Sequence, residues 1–208
     1  MPSRLFSPLK IRGVEFKNRI FMPPMDMFCA EDGMFSDWHF VHYGTRAVGG
    51  AALLIQEATA VSPEGRISPG DLGIWSDKQA RTLKRITDFV KSQGVIPGIQ
   101  LAHAGRKAAV AIPWKDGDRP LTAQEGAWET IGPSPVPFGP NFPSPREMTV
   151  RDIDDVVTQF ASAAKRALGA GYDVAEIHMA HGYLCHQFLS PLSNRRTDEF
   201  GGSFDNRI

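Results

Sequence analysis

Two histidines and a tyrosine have the side chains and the spacing of a catalytic donor set. His178 and His181 lie three residues apart, and Tyr183 directly follows Gly182. Two fixed imidazole donors aimed at one oxygen would stabilise negative charge that develops there in a transition state. A phenol nearby could then supply a proton. The stretch is therefore a candidate site for stabilising an oxyanion and protonating a neighbouring atom.

The same two histidines allow other interpretations. On a helix, a spacing of three places both imidazoles on one face, as a pair of metal ligands requires. Together with Asp26 and His103 they would form the metal site of a barrel hydrolase. The pair could also be ordinary core or surface histidines, and residue types alone leave these alternatives open.

The elements that must position these residues alternate between strand and helix. Residues 9–17 alternate apolar and polar around Gly13, which predicts a β-hairpin. Apolar runs predict strands at residues 19–22, 52–57, 95–101 and 172–177. Helical spacing predicts helices at residues 37–48, from Ser76 to Gly94, and from Thr149 to Gly169. In the first helix, one face carries Trp38, Val41, His42 and Thr45. In the third, the apolar stripe is Ile153, Val156, Val157, Phe160 and Ala164. A further helical start is predicted at Ser203.

Polar side chains follow each of the four strands. Asp26, Glu57, Gln100 with His103, and His178 with His181 come after them in turn. Barrel enzymes assemble their sites from several strand ends on one rim, whereas a doubly wound sheet uses one switch point with a glycine-rich first turn. No G-x-G-x-x-G follows the first strand. We therefore predict an α/β fold, a (β/α)8 TIM barrel.

The chain is expected to supply only part of that barrel. Four βα units are half of the eight that a closed barrel needs. We expect residues 1–208 to form a single domain, the N-terminal half of a barrel preceded by a hairpin. Residues 103–148, a proline-rich connection of about 46 residues, are far longer than an ordinary βα loop. We predict that they cap the active site.

The composition limits which partners and which cellular compartment we expect. The formal net charge is zero, which argues against nucleic acid or an anionic membrane as a partner. No apolar run reaches the roughly 20 residues that span a bilayer, and residues 1–10 lack the apolar centre of a signal peptide. Two cysteines cannot build a disulfide framework. We expect a cytoplasmic protein with a small-molecule substrate.

Several stretches together resemble one family. They are Pro23-Pro24-Met25, Glu57-Ala58, and residues 73–77, 98–107, 178–183 and 188–202. In this order and spacing they are similar to the Old Yellow Enzyme family of ene-reductases, with the bacterial xenobiotic reductase and thermophilic-like branch nearest. The resemblance covers essentially the whole chain, which makes it far more specific than any single short motif.

The resemblance implies an FMN-dependent enzyme and a role for each matching residue. Backbone groups of Pro23, Pro24 and Met25 would lie against the flavin ring, with Ala58 beside its polar edge, while Gln100 would bond its pyrimidine side. His178 and His181 would donate to the oxygen of an enone or nitro substrate, and Tyr183 would be the proton donor. Hydride would pass from NADPH or NADH through the flavin to the activated double bond. The family's FMN phosphate site lies in the second half of the barrel.

Two residues depart from that branch of the family. Asp26 stands where a cysteine commonly contacts the flavin, and Phe28 stands where a tyrosine commonly contacts substrate. An ionised Asp26 would disfavour anionic reduced flavin, so we expect a lower flavin potential than in an Asp26→Cys variant. In a dry site, Asp26 would instead stay protonated and act as a donor. Phe28 leaves an apolar wall beside the substrate.

The leading hypothesis is thus an FMN-dependent ene-reductase, expected to be a homo-oligomer. The metal-dependent barrel hydrolase described above is the second hypothesis. An inactive, truncated half barrel is the third.

Overall fold

The computed structural model describes residues 3–208, so the first two residues of the segment 1–10 lie outside it. Short 3₁₀ turns occur at Arg4–Phe6, Gly105–Lys107 and Ala123–Glu125. The helices and strands follow the chain as β1 (Leu9–Ile11), β2 (Val14–Phe16), β3 (Phe21–Met22), α1 (Asp37–Val48), β4 (Leu53–Ala60), β5 (Leu72–Gly73), α2 (Asp77–Ser92), β6 (Ile96–Ala102), α3 (Pro113–Asp116), β7 (Ile131–Gly132), β8 (Arg146–Glu147), α4 (Val150–Gly169), β9 (Val174–Ile177), α5 (Leu184–Leu189) and α6 (Phe204–Arg207).

The core of the fold is a parallel sheet with strand order β3-β4-β6-β9. β5 pairs with the end of β4, and the predicted hairpin is present as the antiparallel pair β1 and β2. Strands β4 and β6 are buried along nearly their whole length, as expected for parallel strands that are covered on both faces. Helices α1, α2 and α4 alternate with these strands, as the sequence predicts.

Local sequence signals fix where the helices begin. Each of the three long helices starts with a capping box, in which the N-cap side chain and the side chain three residues later satisfy each other's backbone amides. In α4, the amide of Asp152 donates to Thr149 Oγ1 at 3.2 Å, and the amide of Thr149 donates to the Asp152 carboxylate at 2.7 Å. Gly94, with a φ of 64°, follows α2 as its stop signal.

The predicted face of α1 is wrong, although its bounds are right. Trp38 and Val41 are 59% and 57% exposed, and the buried residues are His39, Tyr43, Gly44 and Ala47. The reason lies in β4, where the buried carboxylate of Glu57 requires donors from the helix above it. An apolar inner face on α1 could not have supplied them.

The predicted stripe of α4 is only partly buried. Ile153, Ala163 and Ala167 are buried, whereas Val157 is 63% exposed. Val156, Val157 and Phe160 line an apolar cavity of about 480 Å³ that extends to β9 and α5. Along the described residues, no helix combines the length and apolarity needed to cross a bilayer.

A β-bulge in β4 sets the position of the strand ends. The register between β4 and β6 shifts between Gln56 and Ala58, so that one extra residue, Glu57, stands out of the ladder. Ala58 is thereby placed opposite Gln100 on β6, and Gln100 lies opposite Glu176 on β9. These three residues form a row across the sheet.

Residues 103–148 are not the featureless loop that the sequence indicates. They contain two 3₁₀ turns, the single-turn helix α3 and the short parallel pair β7 and β8. Residues 108–111 within them are buried. The segment is therefore an ordered part of the domain.

We predict that Thr149→Ala lowers the free energy of unfolding by about 1 kcal/mol, because it removes the acceptor for the Asp152 amide at the start of α4. The control is Thr158→Ala, the same chemical change at an exposed position inside α4. Since alanine is the better helix former, the control should be neutral or slightly stabilising. Equal losses in urea denaturation of the two variants would contradict this account.

Candidate active site

A cavity of about 590 Å³ opens at the carboxyl ends of the parallel strands. Nine of the residues singled out from the sequence line it together: Pro23, Pro24, Asp26, Phe28, Ala58, Gln100, His178, His181 and Tyr183. Its wall combines apolar surface with a few polar groups, as small-molecule sites typically do.

Three residues singled out from the sequence do not line this cavity. Met25 lies between Pro24 and Asp26 but is 48% exposed. Glu57 is fully buried on the other side of β4, because the bulge turns it toward α1. His103 is also buried; its Nδ1 accepts the Gly105 amide at 3.1 Å.

The cavity also contains residues that the sequence analysis missed. Ile67, Glu176, Ile177, Met179 and Ala180 contribute to its wall. Glu176 has the clearest chemical importance, since Gln100 Nε2 donates to its carboxylate at 2.6 Å. Alternation along β9 could have identified it, because residues two apart on a strand share a face and Glu176 precedes His178 by two.

The two histidines form a pair at the mouth of β9. The ring centroids of His178 and His181 are 5.1 Å apart and the rings are nearly perpendicular, at 84°. The Ala180 amide lies 3.3 Å from His178 Nδ1 and donates to it, which leaves the proton of the neutral ring on Nε2. Burial, followed by the neighbouring His181, lowers the pKa of His178, so that this neutral donor form is favoured.

Three hydrogen bonds to other side chains hold the turn that contains the two histidines. His181 has a φ of 57°, in the left-handed region, which costs energy for a residue other than glycine. Lys107 Nζ donates to the His181 carbonyl at 2.9 Å. The Gly182 amide donates to His186 Nδ1 at 2.7 Å, and Gln187 Nε2 donates to the Gly182 carbonyl at 2.7 Å. These bonds hold the strained turn in one conformation.

Tyr183 lies beside the pair. Its ring centroid is 4.8 Å from that of His178, and Lys107 Nζ lies 4.7 Å from its ring centroid. Burial, with smaller contributions from Asp26, Asp71 and Asp118, raises the pKa of Tyr183 to about 12. Its phenol is therefore protonated at neutral pH and can donate.

Asp26 belongs to a group of three acidic residues beneath the cavity wall. Burial, followed by the charges of Asp71 and Glu57, raises the pKa of Asp26 well above its ordinary value. Burial also raises the pKa of Asp71, to about 7. The electrostatics of this wall therefore disfavour negative charge on Asp26.

The residues proposed for a metal site are not assembled as one. Among residues 3–208, no three His, Cys, Asp or Glu side chains lie close enough to hold a metal ion. Asp26, His178 and His181 line the cavity, but His103 does not. The structure therefore gives the hydrolase hypothesis no support.

Residues 103–148 reach the rim of the cavity at two places. Trp114 Nε1 donates to the Met27 carbonyl at 3.1 Å. Lys107 Nζ lies 4.6 Å from the Phe138 ring centroid while it bonds His181. The segment thus contacts both the loop after β3 and the histidine turn.

A parallel sheet with helices between its strands, and a cavity at the carboxyl ends of those strands, are typical of the class of α/β-barrel enzymes. Residues 4–208 match the NADH:flavin oxidoreductase / NADH oxidase family. The chain belongs to this family, whose cofactor is FMN.

Curated relatives match along the whole chain. An NADPH dehydrogenase of a Geobacillus species is 51% identical over 209 residues, covering 100% of this chain and 57% of the relative. An NADH:flavin oxidoreductase of Gibberella zeae is 49% identical over 210 residues, covering 99% of this chain and 51% of the relative. The chain thus spans about half the length of the curated relatives it matches.

Solved structures agree with the fold. Morphinone reductase superposes with a TM-score of 0.83 at 31% identity, over 98% of this chain and 55% of that one. Old Yellow Enzyme from Pichia sp. superposes with a TM-score of 0.85 at 32% identity, over 99% of this chain and 53% of that one. The predicted fold class, part of an α/β barrel of the Old Yellow Enzyme family, is confirmed.

We predict that Gly105→Ala destabilises the protein by about 2–4 kcal/mol, from left-handed strain and overpacking combined. Gly105 has a φ of 60°, and an added Cβ would lie 2.4 Å from Gln187 Oε1. Gln187 is the side chain that also holds the histidine turn.

The matched control is Gly94→Ala, with a φ of 64° and nothing within 4 Å of the added Cβ. It should cost only the strain, about 1 kcal/mol. If denaturation midpoints show the two variants to be equally stable, the close approach of Gly105 to Gln187 has no energetic importance.

Proposed function

We propose that the chain carries the substrate-binding and proton-donating half of an FMN-dependent ene-reductase. Such an enzyme takes hydride from NADPH or NADH and reduces the activated double bond of α,β-unsaturated carbonyl or nitro compounds. The observation that carries the proposal is the pair His178 and His181, fixed beside Tyr183 on a cavity that Pro23 and Gln100 also line.

The cavity suits the flat ring of FMN. Pro23, Pro24 and Ala58 offer apolar surface and backbone groups, and Gln100 offers an amide close to the row of strand ends. The Oδ2 atom of Asp26 is buried without a hydrogen-bond partner within residues 3–208, as expected of a group that faces a polar ligand atom. These residues, with the backbone of Met25, are the proposed contacts of the cofactor.

When bound, FMN supplies the hydride-transfer chemistry that protein side chains lack. The work of His178 and His181 is to hold the substrate oxygen. Negative charge grows on that oxygen as the β-carbon is reduced, and two preorganised N–H donors stabilise the growing charge more than the ground state. The Ala180 amide contributes by keeping the His178 proton on Nε2.

Tyr183 is the proposed proton donor to the α-carbon. Its phenol is protonated at neutral pH because burial raises its pKa to about 12. The Lys107 ammonium, 4.7 Å from the ring centroid, would stabilise the phenolate that remains after the transfer. Phe28 lines the same cavity and forms the apolar wall beside the substrate.

Further parts of the proposal concern the whole enzyme. Four parallel strands are half of a closed barrel, so we assign turnover to the complete barrel of which this chain forms one side. Residues 103–148 would cap the site through the contacts of Trp114 and Lys107. We further propose a cytoplasmic homo-oligomer.

The first prediction for this function is spectroscopic. The complete barrel that contains this chain, mixed with FMN, should show the absorbance of a bound, oxidised flavin, should be bleached by NADPH without oxygen, and should regain its colour with cyclohexenone. FMN that stays entirely in the filtrate when the complete barrel is ultrafiltered, at any FMN concentration tested, would contradict cofactor binding.

The second prediction separates the clamp from the proton donor. In the flavin-loaded enzyme, His178→Ala and His181→Ala should each lower kcat/KM for cyclohexenone by about 10²–10³-fold, because each removes one donor to the oxyanion. Both should also weaken the binding of p-hydroxybenzaldehyde, a phenol that the clamp would hold. Tyr183→Phe should lower turnover but leave that binding within about twofold, since the phenol is needed only after hydride transfer. Unchanged binding in both histidine variants would remove the clamp from the proposal.

A further inference from the structure

Glu57 and Asp71 lie within electrostatic range of Asp26, and the three carboxylates differ in how many donors they receive. Glu57 accepts from Tyr43 Oη at 2.6 Å and from the Met27 amide at 3.3 Å, and His39 Nε2 lies 3.5 Å away. Tyr43 and Met27 are hydrogen-bond donors to this carboxylate, whereas His39 Nε2 has no hydrogen-bond partner among residues 3–208. Glu57 therefore receives two donors.

Asp71 is also well supplied. Its carboxylate accepts from the amide of Ile67 at 2.6 Å, and from both the amide and the hydroxyl of Ser68 at 2.9 and 2.8 Å. The loop that contains Asp71 packs tightly on the segment after Asp26, since a Cβ on Gly70 would lie 2.5 Å from the Phe28 carbonyl oxygen. The Ala30 amide also donates to the Gly70 carbonyl at 2.8 Å, so backbone contacts join the segments that contain Asp26 and Asp71.

Asp26 receives the least support of the three. Its Oδ1 accepts from the Phe28 amide at 3.0 Å, while Oδ2 is buried with no partner among residues 3–208. Within the same residues, Asp26 takes part in none of the ion pairs. The amides of Phe28 and Met27 lower the pKa of Asp26, but they contribute less than burial, Asp71 and Glu57, which raise it. A buried anion with so few donors and no counter-ion is costly.

The other titratable groups around Asp26 do not offset that cost. Glu57 of β4 and Asp71 of the loop before β5 are acidic and disfavour its charge. A negative charge on Asp26 would raise the pKa of Tyr183, in the histidine turn, and of Cys29, in the same segment as Asp26. His178 and His181 line the same cavity as Asp26.

We propose that Asp26 is a neutral carboxylic acid at physiological pH and presents its Oδ2–H to the cavity as a hydrogen-bond donor. The ligand atom that it meets is accordingly an acceptor, such as a carbonyl oxygen or an imine-type nitrogen of a flat conjugated ring. That chemistry matches a flavin edge, and to this extent the inference rests on the proposed function.

This assignment replaces the expectation of an ionised Asp26. A neutral acid adds no negative charge beside the ring, so Asp26 does not lower the flavin potential through charge. It acts as a donor, the alternative that a dry site favours. Asn shares the shape and the donor of this neutral acid, and it cannot ionise.

The test compares the thermal stability of the protein with that of Asp26→Asn from pH 4 to pH 8. An acid whose pKa is raised on folding binds a proton more tightly in the folded state. The contribution of Asp26 to wild-type stability therefore falls as pH rises above the unfolded-state pKa of about 4. The variant lacks this loss. Its Tm should therefore match wild type near pH 4 and exceed it by roughly 10 °C at pH 8.

Two controls and a second measurement complete the test. Asp154→Asn, at an exposed position of α4, should follow wild type at every pH, and Asp71→Asn should lower Tm because it exchanges an acceptor for a donor. In infrared spectra at pH 7, wild type should show a stronger protonated-carboxyl C=O band than Asp26→Asn, in which the partly protonated Asp71 remains. A Tm difference that does not change with pH, or identical infrared spectra, would overturn the assignment. Neither readout needs flavin, so failure to bind FMN would count against the proposed function alone.

Discussion

The site depends on the parallel register of β4, β6 and β9. Because the bulge at Glu57 shifts β4 by one residue, Ala58, Gln100 and Glu176 come to lie side by side. The loops that leave these strands then converge on one rim, where the histidine turn meets the segment after β3. Without the bulge, the side chain of residue 57 would take the place of Ala58, and a charged group would stand in the cavity.

Much of the fold could be predicted because its signals are local. Capping residues such as Ser76 and Thr149 mark helix starts within a few residues of sequence, and α1, α2 and α4 were placed almost to the residue. The bulge could not be predicted, since it exists only in relation to β6. The inner face of α1 was missed for the same reason. Its buried Tyr43 donates a hydrogen bond to Glu57 on β4, and His39 lies beside the same carboxylate.

In the candidate site, too, residues with local sequence signals could be predicted and residues that depend on other segments could not. Motif residues on the strand ends were identified from sequence, and the structure brings nine of them to one cavity. Glu176 acts through a contact with another segment and was not identified; it is recognised by its bond from Gln100. Lys107 lies in the motif at residues 98–107, but its bond to the His181 carbonyl has no sequence signal. The three acidic residues behind the wall come from three separate segments, so their mutual influence on Asp26 has no sequence signature.

The buried amide of Gln187 has a consequence for how this site can diversify. One side chain accepts from the Arg106 amide and donates to the carbonyls of Ala104 and Gly182, thereby joining the root of the 103–148 segment to the histidine turn. Changes near this root would disturb the clamp, whereas exposed stretches farther along, such as residues 123–127, share no bond with it. Evolution or laboratory selection can therefore change the outer part of the segment to admit new substrates without changing the conformation of the histidine turn.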